Sequence, residues 1–193
     1  MKTARILMTL ILLALATGCS VDYGKARWMY VHPLFDEGWF SAIKDASDVW
    51  RYQYGATVNP TRAGGTEHAM YPIVEEQCEH IFRELHSPGT YTFVDVGFHG
   101  CMGAASFNSM TDVWKVGIVT SFWTDPVPGP DGQPYILNYY DMVYLAAHEI
   151  GHVLGCGHTK DDKPGIMHFG MGNGHTRESI LVTENDLEVC PTW

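Results

Sequence analysis

Eleven residues constrain this chain more than all the others: His148-Glu149-Ile150-Gly151-His152-Val153-Leu154-Gly155-Cys156-Gly157-His158. From about Asp141, Val143, Ala146, Ala147, Ile150, Val153 and Leu154 make an apolar stripe at helical spacing. On such a helix His148 and His152 lie one turn apart on one face and can point two imidazoles at one ion. Gly155 and Gly157 accept the left-handed backbone that a helix stop needs. His158 then arrives from beyond the stop as a third ligand. Three protein ligands leave a fourth coordination position for water, the arrangement of a catalytic rather than a closed structural zinc. Glu149 follows the first ligand and turns toward the edge of its face, where it can act as general base on a zinc-bound water. The short HExxH pattern also occurs in helices whose histidines are surface or core residues. Gly155 and His158 make the longer pattern far more specific.

This segment resembles the signature HExxHxxGxxH of the metzincin zinc peptidases. Metzincins carry a methionine turn below the metal, and Ile166-Met167-His168 fits it, with Met167 as a hydrophobic floor rather than a ligand. Met171 is the weaker candidate. Within the clan the chain looks most like matrixins, which place serine or threonine after the third ligand, where Thr159 stands. Phe169 stands where astacins and serralysins place a tyrosine ligand, so no fifth ligand is expected. The resemblance spans roughly residues 26–190 and is loose outside 148–167. It implies an α/β (α+β) catalytic domain of zincin type, with a twisted, mixed, mainly parallel sheet, two long helices and a small irregular C-terminal lobe. It also implies that residues 113–123 form a sheet edge that pairs with extended substrate, and that 168–173 form part of a pocket wall.

The chain departs from matrixins in several places. A helix expected at 72–86 has no obvious counterpart, no cysteine-switch motif is visible, and the stretch before the domain is too short for a propeptide. Calcium is possible but not indicated. His68, His80, His86 and His99 have no convincing ligand spacing and read as surface or core residues.

The first residues read as an export segment. Lys2 and Arg5 precede an apolar run, Ile6 to Ala16, that is too short to span a bilayer. Ala16-Thr17-Gly18-Cys19 resembles a bacterial lipobox, although leucine is usual where Ala16 stands. The expected division is a signal peptide (1–18), a lipidated tether (19–25) and one catalytic domain (26–193). Cys19 is the lipidation site, and Ser20 suits outer-membrane or cell-surface delivery. The alternative is ordinary cleavage near Gly18, leaving Cys19 free. Losing Lys2 and Arg5 and no acid takes the formal charge from −10 to −12. No basic stripe exists to neutralise phosphates, so nucleic acid is not an expected partner.

A chain of 193 residues, 46% hydrophobic and 18% charged, suits one globular domain and a monomer. Beside Cys19 stand Cys78, Cys101, Cys156 and Cys190, an even number in an exported chain. Of three pairings, Cys78–Cys101 closes the shorter loop and Cys156–Cys190 ties the end of the active-site helix to the C-terminus. Buried free thiols are the alternative.

Strands are expected at 27–32, 90–98 and 113–123. A helix capped by Asp36 should carry Trp39, Ile43, Ala46 and Trp50 on one face and fade near Gly55. Residues 59–68 and 125–134 read as loops. Pro72 should open the helix at 72–86, and Thr183 should cap a last short helix with Leu187 inward. Tyr139, Tyr140 and Tyr144 read as packing residues.

The leading reading is a zinc endopeptidase acting on extracytoplasmic proteins or peptides. A zinc hydrolase of cell-wall peptide is the second. A lipoprotein using zinc for structure or recognition is the third, and Glu149 argues against it, since a structural site needs no base.

Overall fold

Trp39, Ala42, Ile43, Ala46 and Trp50 are all buried, and they define the inner face of helix α1 (Glu37–Tyr54). Asp36 caps this helix by accepting from the Trp39 amide at 2.8 Å, and Gly55, at φ 76°, ends it. Both ends lie where the sequence puts them. The computed structural model describes residues 27–191 apart from 57, 65–67, 75–77, 79–89, 98–99, 122–126, 129–133, 136, 161–162 and 169–173. Cys19 and the export segment therefore lie outside the described residues.

Strands β1 (Arg27–Val31), β2 (Val58–Thr61), β3 (His68–Ile73), β4 (Thr90–Gly97), β5 (Gly100–Asn108) and β6 (Val113–Val119) form one sheet in the order β2-β1-β3-β6-β5-β4. The β1–β2, β1–β3 and β3–β6 pairs are parallel, whereas β5 runs antiparallel to both β6 and β4. This is the mixed α/β architecture expected. Strands β7 (Val127–Pro128) and β8 (Pro134–Tyr135) form a separate small antiparallel pair inside the stretch read as a loop. Helix α2 (Tyr139–Val153) and the short α3 (Glu184–Glu188) complete the regular elements used below. Among the described residues no helix is long and apolar enough to cross a membrane.

The two long helices share one core with Met29, Val31, Met70, Val116 and Ile118 of the sheet. Trp50 fixes their contact, because its indole N–H donates to the Ala147 carbonyl of α2 at 2.7 Å. That bond satisfies the one polar atom of a fully buried ring.

Several expectations are corrected. Pro72 and Ile73 close strand β3 instead of opening a helix, with Pro72 opposite Ile118 of β6. β1 pairs with β3 only from His68 to Met70, so the proline's missing N–H falls beyond that ladder. Within the rest of the expected helix, 75–77 and 79–86 lie outside the described residues. Residues 59–68 are not all loop: Val58–Thr61 and His68 belong to strands. Pro60 is tolerated because β2 is an edge strand. Most consequentially, β6 is interior. β5 and β4 lie outside it, and among the described residues the free edge on that side belongs to β4. Strand β5 was not anticipated, because Gly100, Gly103, Ala104, Ala105 and Ser106 lack the β-branched and aromatic composition of a strand. Leu187 is exposed, and Asp186 is the residue of α3 that points inward, fully buried.

Both disulfides have the favoured pairing, Cys78–Cys101 and Cys156–Cys190. The first fastens the segment after β3 to β5. The second fastens the chain just past α2 to the residue two beyond α3.

Candidate metal centre

Helix α2 starts at a strong cap. The Asn138 side chain accepts from the amides of Tyr140 and Asp141, and Asp141 returns the favour to the Asn138 amide at 2.8 Å. This capping box sets the phase of the helix and hence the direction of its two histidines. His148 and His152 are fully buried, with ring centroids 4.9 Å apart.

Each buried histidine is held from its far side. His148 Nδ1 donates to the Ile166 carbonyl at 2.6 Å, and His152 Nδ1 donates to the Cys156 carbonyl at 2.9 Å. A carbonyl can only accept, so both rings carry their proton on Nδ1 and turn the Nε2 lone pair toward the cluster.

The helix stops at Leu154, and Gly155 takes φ 93°. That left-handed backbone turns the chain back and delivers His158. Its ring lies 4.8 Å from His152 and 5.3 Å from His148, centroid to centroid, and it is half-buried. One nitrogen from each histidine lies within 4.8 Å of the others. Metal–nitrogen bonds of about 2.0–2.1 Å in a tetrahedral set fit inside that envelope. Three imidazoles, two of them with their tautomers pinned by backbone carbonyls, are a donor set suited to zinc.

Glu149 is fully buried, and its carboxylate lies against Gly103 of β5. A Cβ at position 103 would overlap that carboxylate, so this close approach requires glycine there. Gly151, between His148 and His152, is under the same demand, because Trp50 and the Met167 sulfur occupy the space a Cβ would need. Met167 is thus packed against the helix backbone between His148 and His152.

The turn that carries Met167 is tied on several sides. Its N–H donates to Asp186 at 2.7 Å, and its carbonyl accepts from the Thr159 amide at 2.8 Å. Thr159 and His168 form a parallel bridge. Tyr144 donates its hydroxyl to the Gly165 carbonyl at 2.7 Å and stacks on His175, centroids 3.9 Å apart. Burial and, next, the Asp186 carboxylate push the Tyr144 phenol well above its ordinary value, so it remains a donor. Asp186 also accepts from the amide and hydroxyl of Thr183. Sequence reasoning missed Asp186 as the link between α3 and the methionine turn. The signal was the capping pattern Thr183-x-x-Asp186, which places an acid at the third helical position.

Other expected features separate cleanly. His68 opens β3, where its Nδ1 accepts from the Trp114 amide at 3.1 Å, a packing role within the sheet. His80, His86, His99, Phe169 and Met171 lie outside the described residues, as does most of the wall at 168–173. Tyr144 is buried, whereas Tyr139 and Tyr140 are both more than a third exposed. Phe93 of β4 was not anticipated. It stacks on His152 at 4.2 Å between centroids.

Comparison with known proteins agrees with this geometry. The family profile described as matrixin matches residues 37–190, from the first turn of α1 to the second disulfide. No curated protein matches the chain.

Proposed function

The chain belongs to the matrixin family of metallopeptidases, and from that premise we propose that it is a zinc-dependent endopeptidase of extracytoplasmic proteins, with Glu149 as general base. The observation that carries the reading is the His148–His152–His158 cluster, two of whose members are locked into one tautomer by backbone carbonyls.

Zinc held by the three imidazoles would supply Lewis-acid polarisation of the scissile carbonyl and would make water a far stronger acid than it is in bulk. The protein does the rest. Ile166 and Cys156 hold the donor rings in place by their carbonyls, so little reorganisation is needed on binding. The Glu149 carboxylate takes the proton of the attacking water and passes it to the leaving amine. Gly103 makes room for that carboxylate beside the sheet. Met167 and Trp50 fill the space below the ligands and keep α2 from shifting.

The reading extends to the N-terminus. A signal peptide at 1–18 and lipidation of Cys19 would carry the enzyme out of the cytoplasm and anchor it by a lipid, with residues 19–25 as tether. Two disulfides in the catalytic domain support an oxidising compartment. A monomer acting on protein or peptide substrates is the simplest form.

Metal removal tests the proposal. Dialysis against a strong chelator should abolish cleavage of a complex peptide mixture, and one equivalent of zinc should restore it. Undiminished cleavage by the metal-free protein would overturn the reading. Running cell-wall peptides beside denatured and native proteins separates the endopeptidase from a cell-wall hydrolase, because only the former cuts ordinary polypeptide.

A further inference from the structure

Two restraints are needed to fix an imidazole: one for its direction in the plane and one for the plane itself. For His152 the first is the hydrogen bond from Nδ1 to Cys156. The second comes from outside the helix. The Phe93 ring, carried by β4, lies parallel to the His152 ring within 8° at 4.2 Å between centroids. It meets His158 edge to face, at 5.9 Å and 84°. One phenyl ring thus touches the helix-borne ligand and the ligand beyond the helix stop.

Phe93 is itself well supported. Opposite it on β5 stands Ala105, small and fully buried. Trp114 of β6 stacks near it at 6.4 Å and 17°, and Phe107 of β5 stacks on Trp114 at 4.9 Å. A row of aromatic faces therefore runs from the sheet to the metal ligands. Strand β5, which holds β4 in place, is fastened by the Cys78–Cys101 disulfide.

We propose that Phe93 is a positioning residue for the metal centre: its ring fixes the plane of His152, braces His158 and shields both ligand faces from water. The inference rests on the zinc site proposed above but is read without any cleavage assay. Partners that orient a ligand from outside the coordination sphere change metal affinity by about 10–100-fold.

The experiment uses the full protein loaded with zinc and follows zinc release to an excess of chelating dye, for wild type and for Phe93→Leu and Phe93→Tyr. Leucine keeps apolar bulk without a flat face. Release from Phe93→Leu should be about tenfold faster, and Phe93→Tyr should stay within about twofold of wild type. With cobalt(II) in place of zinc, the visible absorption bands should shift for leucine and not for tyrosine, a signature that a general loss of stability does not produce. Release from Phe93→Leu at the wild-type rate would overturn the proposal, as would tyrosine behaving like leucine. A wild type that holds zinc but cleaves no peptide would sink the endopeptidase reading and leave this inference standing. A wild type that binds no zinc would sink both.

Discussion

The helix-borne pair and the third ligand of the cluster are built in different ways. His148 and His152 are fully buried and positioned by one continuous helix, one capping box and two carbonyl acceptors. His158 is half-buried and depends on a left-handed glycine and on the chain that follows it. That chain is held from outside: Cys156 is bonded to Cys190, and the Gly157 amide donates to the Val189 carbonyl at 2.9 Å. A helix supplies a rigid two-point grip, and the remaining corner comes from a turn whose rigidity is imported from the C-terminal segment.

The largest test removes one member of each class. His152→Ala should lose stoichiometric zinc and all cleavage, since a buried member of the rigid pair is gone. His158→Ala should lose cleavage yet retain weak zinc on the helix pair. Metal analysis after gel filtration checks both, and equal zinc content in the two variants would erase the distinction drawn here.

A smaller effect is expected where the turn is anchored. Cys156→Ser combined with Cys190→Ser should cost about 2–4 kcal/mol of stability, measured by denaturant unfolding of the metal-free protein. It should also weaken zinc binding more than removal of Cys78 and Cys101 does, because only the Cys156–Cys190 disulfide borders His158. The reverse order would show that the turn does not need its anchor.

The smallest effect concerns the floor. Burial raises the Tyr144 phenol above its ordinary value of 10.0, as burial and the Asp45 hydrogen bond do for Tyr139. A raised folded value means the stabilisation is complete below about pH 10 and is lost as pH climbs toward the folded value. Stability should therefore fall above about pH 10. Tyr144→Phe should flatten that decline while lowering stability near neutrality by about 1 kcal/mol through the lost bond to Gly165. A decline unchanged in the variant would assign it to other groups.

The metal centre was more legible in the sequence than the sheet around it. Ligand spacing follows from helix geometry, which is local, so His148, His152 and the stop at Gly155 could be read directly. Met167 came from resemblance, and its contacts with Gly151 and Asp186 give it a physical basis. Sheet order is not local. β5 is built from small residues and carries no strand signal, and the sheet edge that the resemblance implies at β6 is displaced by the two strands beyond it. Pro72 carried a helix-start signal and was used instead where a ladder ends. Leu187 was expected inward because apolar residues usually are, but the buried place on α3 goes to Asp186, whose hydrogen bonds hold the methionine turn. Phe93 escaped because a contact between a strand and a distant helix leaves no periodic trace.

The central claim is that Glu149 moves the proton while the three histidines hold the metal. Zinc content and peptide cleavage measured together for wild type and Glu149→Gln test it most directly. The account predicts that the variant keeps one equivalent of zinc and loses cleavage by several orders of magnitude, and cleavage at the wild-type rate would contradict it.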